Sequence, residues 1–262
     1  MASWIAGPAR LIILLLACAL LASIEFFIPL FRYRRGRWRR AVPNLLLATV
    51  VLMTNFALAS ITAWLCAFGT QWHVGLLAGT RLRPWMMGLI GVAGLDLSAY
   101  TAHVLLHKLP VAWRFHRVHH SEPEVDVTTA FRQHPGETIW RFLWQCVGIG
   151  VFGLPFWVVP LYLSLSSLNA LLEHANVRIN TKLDARLRWV VVTPDMHKVH
   201  HSRLPAETDS NYSNIFSVWD RLFSTYTSRA DFRELRYGLD GFDDSQRQKA
   251  RELMIEPFRR SV

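Results

Sequence analysis

The stretch DLSAYTAHVLLHKLPVAWRFHRVHH, residues 96–120, closes on an H-x-x-H-H box, and the box returns as HKVHH at 197–201. His103 and His107 are four residues apart, so on a helix both rings leave the same face. His116, His119 and His120 are related by steps of three and four, and His197, His200 and His201 repeat them. Ten of the eleven histidines fall between 103 and 201; the other, His73 in GTQWHVG, stands alone and reads as an ordinary surface residue. Neutral imidazole is a good ligand for zinc, copper, iron and nickel. Eight clustered imidazoles plus His174 exceed what one tetrahedral zinc can use, which predicts two neighbouring metal ions.

These boxes sit in an apolar chain. Of 262 residues 52% are hydrophobic, enough for one large domain but too greasy for an ordinary soluble one. Eleven tryptophans suit a protein with much surface at a lipid–water boundary. A net charge of +10 raises the question of nucleic acid, but the arginines bunch beside apolar segments and no nucleic-acid-binding signature accompanies them. An anionic lipid surface is the simpler partner. Cys18, Cys66 and Cys146 lie in separate apolar runs, so they form neither a disulfide framework nor a C-x-x-C metal site. LLAC at 15–18 loosely matches a lipoprotein cleavage box, yet the apolar run continues to about Phe31, which favours a retained membrane helix.

A helix needs about 20 largely apolar residues to cross the hydrocarbon. Four stretches qualify: Leu11 to Phe31, about Val42 to Phe68, about Trp85 to Leu106, and Phe142 to about Leu172. The last is too long for one crossing and is interrupted by GVFGLP (150–155) and Pro160, so it reads as a hairpin or two short spans. RYRRGRWRR (32–40), between the first two spans, places six arginines in nine residues and reads as a cytoplasmic loop. Counting crossings from there brings Lys108 and the Glu173-His174 pair to that same face, and with them all the dense histidine boxes. The expectation is an all-α, polytopic membrane protein with about four transmembrane helices and a cytoplasmic helical cap carrying the boxes. Residues 1–84 form the two-span membrane region, and 85–262 the domain with the boxes. DDSQRQKARELMIEPF (243–258) reads as an amphipathic helix covering the site from the aqueous side.

Asp96, Tyr100, His103 and His107 form one helical stripe. An ionisable residue within a span defaults to a functional hypothesis, and a carboxylate there could accept the N–H that a ligating imidazole leaves free. Pairing with a buried arginine is the structural alternative. Haem would use two axial histidines and leave the others idle. A di-iron carboxylate bundle would show Glu-x-x-His, and no glutamate here stands three before a histidine.

DLSAYTAHVLLH (96–107), HRVHH (116–120), EHAN (173–176), HKVHH (197–201) and NYSNIFSVWDRLFSTY (211–226) together resemble the fatty acid hydroxylase / sterol desaturase superfamily, over about residues 85 to 260 including YGLDGF (237–242) and EPF (256–258). The resemblance implies an integral membrane oxygenase or desaturase with a di-iron centre, zinc being possible in isolated protein. It places ligands at His103, His107, His116, His119, His120, His174, His197, His200 and His201. Asp96, Tyr100, His134, Asp209 and Asn211 become candidates for the groups around those ligands, His134 equally for a structural duty. Trp219 and Arg221 read as packing and membrane docking, and Lys198 and Arg203 as a solvated face.

Such a centre would use dioxygen to attack an unactivated C–H bond of a membrane lipid, giving a hydroxyl or an alkene, while the protein orients the chain and excludes water. Phe142, Trp144 and Trp157 are candidates to line the slot or to face lipid. With no G-x-G-x-x-G fingerprint, no cysteine cluster and no room for an appended cytochrome, electrons are expected from an external donor such as a ferredoxin or a cytochrome b5-like protein. The membrane would be a bacterial inner membrane or the endoplasmic reticulum. A zinc-dependent non-oxidative membrane enzyme and a metal-binding protein without turnover are the competing readings; a transporter would place histidines at the bilayer midplane instead.

Overall fold

Among the described residues three helices are long and apolar enough to cross a membrane: α1 (Pro8–Phe27), α2 (Arg37–Trp72) and α3 (Pro84–Lys108). They belong to a computed structural model that describes residues 8–32, 36–232 and 235–259. The chain is mostly helical, and the described residues contain no strand, only two isolated bridges, Val191 with Phe216 and Ser202 with Tyr237.

Two further helices, α5 (Pro135–Phe152) and α6 (Val158–His174), pack against α3, which is half buried while α1 and α2 are largely exposed. The interruption expected in the fourth apolar stretch is real: α5 ends at Gly153 in a left-handed conformation (φ 63°), and α6 begins five residues later. Pro160 lies inside the first turn of α6, where its missing N–H has no helical partner to lose. Glycines bring these helices together. A Cβ on Gly91 would stand 2.7 Å from Val158, and one on Gly94 equally close to Phe152. Small residues at such crossings allow dense packing where lipid supplies no hydrophobic drive.

The remaining elements are short: α4 (Pro110–His120), α7 (Thr181–Leu187), α8 (Pro194–His200), α9 (Pro205–Thr208), α10 (Val218–Leu222) and α11 (Ala250–Ile255), with 3-10 turns at Val127–Phe131 and Glu256–Phe258. Proline opens α4, α5 and α8, presetting φ at the position where an N–H would be unsatisfied anyway. The C-terminal helix is shorter than expected because Gln248, upstream of it, is used as a cross-link. Its amide donates to Ser121 O and Phe242 O, and its carbonyl accepts from Arg132. Leu253 of α11 is buried against Leu47 and Val118.

The basic stretch also departs from expectation. Tyr33, Arg34 and Arg35 lie outside the described residues, but Arg37, Arg39 and Arg40 form the first turn of α2 rather than a loop. Arg37 donates to Glu25 Oε2 (2.6 Å) and Ala22 O (2.7 Å). Arg40 is buried, donates to Glu124 O and faces the Asp126 carboxylate at 3.2 Å. Part of the charge read as a cytoplasmic loop is therefore internal.

Glu25 is the centre of this internal network. Its Oε1 accepts the backbone N–H of Val127 (2.7 Å) and of Asn176 (2.6 Å), tying α1 to the 3-10 turn and to the residues after α6. Nearby, Asn44 of α2 donates to Glu122 and Thr128, and its carbonyl accepts from Arg132. The first two helices thus act as struts for the histidine-bearing half. Glu25→Ala leaves two buried amides without acceptors and should cost roughly 2–4 kcal/mol of stability. Thermal unfolding of the purified variant in detergent would show this; an unchanged transition would remove Glu25 from the scaffold.

Candidate metal centre

The cytoplasm-proximal ends expected from the span count converge in space. The last turns of α3 carry His103 and His107, α4 carries His116, His119 and His120, α6 ends at His174, and α8 with its C-cap carries His197, His200 and His201. The rings are buried and form two groups, His103, His107, His116, His120 and His200 in one, and His119, His174, His197 and His201 in the other. Within each group the candidate ligand nitrogens all lie within 4.8 Å of one another. The groups adjoin, with His120 and His201 stacked at 4.7 Å between ring centroids.

This division explains why the box occurs twice. His116 and His120, one turn apart, enter the first group, while His119 between them points to the second. In α8 the assignment is reversed: His197 and His201 enter the second group, and His200 the first. Each box gives a pair to one group and a single ring to the other.

The outward nitrogens are held by acceptors. His103 Nδ1 lies 2.7 Å from Tyr212 O, His119 Nδ1 3.1 Å from Arg132 O, His174 Nδ1 2.7 Å from Ala170 O, and His200 Nδ1 2.7 Å from Ser210 O. A carbonyl can only accept, so each of these rings carries its proton on Nδ1 and presents an Nε2 lone pair inward. His119 Nε2 and His174 Nε2 then face one another at 3.1 Å, lone pair to lone pair. The Nε2 atoms of His107 and His200 are buried without a hydrogen-bond partner. Such an arrangement calls for a cation among the nitrogens, and the residues fit a metal.

Electrostatics agree. Burial, reinforced by neighbouring rings, drives His116, His119, His120, His197, His200 and His201 well below the ordinary imidazole range. The fold therefore keeps them in the neutral, ligating form. Carboxylates approach from outside: Asp209 accepts from His107 Nδ1 (3.2 Å) and Lys108 (2.8 Å), and Glu137 Oε1 lies 3.0 Å from His116 Nδ1.

Of the residues expected around the ligands, Asp209 meets a histidine and four others do not. Asp96 accepts from the backbone N–H of Ile215 and Phe216 and from the Trp219 indole, since seven residues of helix put it about 10 Å below His103. Among the described residues it pairs with no arginine either. Tyr100 bonds Thr225 and stacks on Phe223. His134 caps α5, its Nδ1 accepting from Gly136 N while Nε2 donates to Met254 O. Asn211, in the left-handed region (φ 53°), donates to Met196 O and Thr227 O and shapes the turn beside α8. Lys198 is not on a solvated face: it is buried, donates to Val177 O, and burial lowers its pKa to about 8. The anchoring carbonyls carry no sequence signature. Glu137 could have been suspected only as an acid in the first turn of a helix.

An apolar cleft of about 180 Å³ opens between α3, α4 and α5, lined by residues including Leu106, Ala112, Phe115, Ile139, Trp140 and Leu143; no histidine of either group lines it. Phe142, Trp144 and Trp157, read as lining a slot or facing lipid, are not part of it.

A profile of the fatty acid hydroxylase family matches residues 88–225, and the chain belongs to that family. Among curated proteins it is 31% identical over 158 residues to an alkylglycerol monooxygenase of Xenopus tropicalis, covering 60% of this chain and 33% of that protein. It is 32% identical over 148 residues to the ornithine lipid hydroxylase OlsE of Rhizobium tropici, covering 54% of this chain and 43% of that one. A cholesterol 25-hydroxylase-like protein of Danio rerio matches at 27% over 143 residues, half of each chain. The chain thus spans between a third and a half of these relatives. No solved structure matches it.

The buried neutral histidines set a pH dependence. Unfolded, they take up protons near 6.5; folded, they do so only at lower pH. Acid therefore favours the unfolded chain. Stability of chelator-stripped protein should be complete above about 6.5 and fall as pH drops below it. Melting temperature measured from pH 8 to 5, with and without added metal, tests this: a flat profile for the stripped protein would contradict the buried, neutral assignment.

Proposed function

We propose that the chain is a membrane-bound, dioxygen-dependent lipid hydroxylase with a di-iron centre. The observation that carries this is the pair of adjoining all-imidazole groups in a member of the fatty acid hydroxylase family. The reaction is R–H + O2 + 2 e⁻ + 2 H⁺ → R–OH + H2O. One oxygen atom enters the lipid, and the other leaves as water. Relatives named as an alkylglycerol monooxygenase and an ornithine lipid hydroxylase support a lipid substrate and favour hydroxylation over desaturation.

His103, His107, His116, His120 and His200 would hold one ion, and His119, His174, His197 and His201 the other. Bound iron would supply the reductive activation of dioxygen that an unactivated C–H bond requires. The chain's own residues do the rest. Carbonyls and Asp209 fix ring tautomers, burial keeps bulk water away, and the cleft lined by Leu106 and Phe115, the sequence neighbours of His107 and His116, would seat an acyl segment. Electrons come from a separate ferredoxin-like or cytochrome b5-like donor.

For topology, α1, α2, α3 and the α5–α6 pair make the crossings, and the basic stretch before α2 faces the cytoplasm of a bacterial inner membrane or of the endoplasmic reticulum. Residues 85–262 form the catalytic unit, buttressed by 1–84.

Purified protein should bind close to two metal ions, His119→Ala should lose one and His200→Ala the other, read by elemental analysis. In cells or proteoliposomes given iron, reductant and lipid, product should gain the mass of one oxygen atom and carry label from ¹⁸O2. Turnover that persists under strict anaerobiosis would sink the oxygenase and favour a hydrolytic zinc enzyme.

A further inference from the structure

Asp96 sits at the centre of α3, a 25-residue candidate span, about 18 Å from either end. Its buried carboxylate accepts the N–H of Ile215 (3.1 Å) and Phe216 (2.9 Å) and the indole N–H of Trp219 (2.9 Å). One turn nearer the histidines, Phe223 stacks on Tyr100 at 5.3 Å, and Thr225 bonds the Tyr100 hydroxyl. The segment after α9 therefore does not stay level with the metal centre. It descends along α3 to the middle of the span and returns.

Most of that segment is not helical, and α10 within it has only five residues. Irregular backbone at membrane depth is tolerated only where protein satisfies its polar groups. Here protein does so. Besides the two amides taken by Asp96, the Asp220 carboxylate accepts from Tyr212 N and Ser213 N. Ile215 O accepts from Val192 N, and Ser217 N donates to Val190 O. An intramembrane carboxylate whose partners are backbone amides is explained by a backbone that has no water to turn to.

The outer side of the same segment is apolar. Val218, Leu222 and Phe223 are exposed, and the bridge between Val191 and Phe216 sets Leu187, Trp189 and Val190 beside them, with Trp189 66% and Leu222 65% exposed. The Arg221 guanidinium lies over the Trp189 ring (4.6 Å) and the Tyr226 ring (4.2 Å). Arg186 and Arg188 stand next to Leu187. Aromatic rings with long basic side chains reaching past them are the composition of a lipid interface.

We propose that residues 187–192 and 211–226 form a wedge immersed in one bilayer leaflet, with lipid acyl chains covering its apolar face while Arg188 stays paired with Asp184 and Arg221 lies over Trp189 and Tyr226. The occupant is bilayer lipid, because the patch is continuous with α3 and lies at the depth of its centre. The edge of the histidine-bearing region is then inside the membrane, and a lipid can approach it without leaving the leaflet. This goes beyond the hydroxylase reading and holds whatever chemistry the histidines perform.

The test uses the full chain in proteoliposomes, with bimane attached at Val190→Cys, Leu222→Cys or, as a water-exposed control, Asp240→Cys, and the unsubstituted chain as background for the native cysteines. Quenching is compared between acyl-brominated phospholipid and aqueous iodide. Labels at 190 and 222 should be quenched at least several-fold more by the brominated lipid than by iodide, and the label at 240 the reverse. Iodide quenching at 190 and 222 equal to that at 240 would overturn the wedge in favour of an aqueous cap. Protection from both quenchers would overturn it in favour of a protein partner or a second copy. Should a cysteine variant lose the parent's melting transition, Trp189→Phe decides: the parent's tryptophan quenching by brominated lipid should fall in that variant, and unchanged quenching counts against the wedge.

Discussion

Nitrogen lone pairs repel, and this fold buries those of His119 and His174 3.1 Å apart with both protons committed to backbone carbonyls. That is the constraint on which the rest depends. Rings anchored through Nδ1 to carbonyls cannot turn to share protons, so positive charge between them would relieve the repulsion. The alternation within each H-x-x-H-H box follows from one helical turn: residues four apart share one group, and the residue three along leans toward the other. Two short helices, α4 and α8, are enough to interleave two coordination sets.

Holding those helices still is a problem the histidines cannot solve themselves. α8 has seven residues and α4 eleven, too short to be stable alone in water. Proline at their first positions and buried side chains around them supply the order. Much of it comes from far along the chain: Glu25 reaches Val127 and Asn176, Asn44 reaches Glu122 and Thr128, and Gln248 reaches Ser121 and Arg132. The N-terminal helices, outside the part that matches the family, are therefore mechanically part of the site.

Membrane depth organises what remains. α3 carries histidines at one end and a carboxylate at its centre, and the two do different work because about 10 Å of helix separates Asp96 from His103. The first belong to groups able to hold a metal ion; the second closes the hydrogen bonds of a loop lying against the helix.

The nine clustered histidines, the helical character of the chain, its three long apolar helices and the break in the fourth apolar stretch were legible in the sequence, because spacing and hydropathy are local properties read at helical period. The family was legible for the same reason, since several short motifs keep their order. The partition of the rings into groups of five and four was not, nor were the carbonyls of Tyr212, Arg132, Ala170 and Ser210, because a backbone acceptor has no letter of its own. Asp96, Tyr100, His134 and Asn211, expected around the ligands, bond other segments of the chain instead. A helical stripe fixes direction but not which distant segment packs on it. By itself the sequence determined which donors are present and which face of each helix they share; only the tertiary structure decided what those donors meet, because contacts between residues a hundred positions apart are set by packing, not by period.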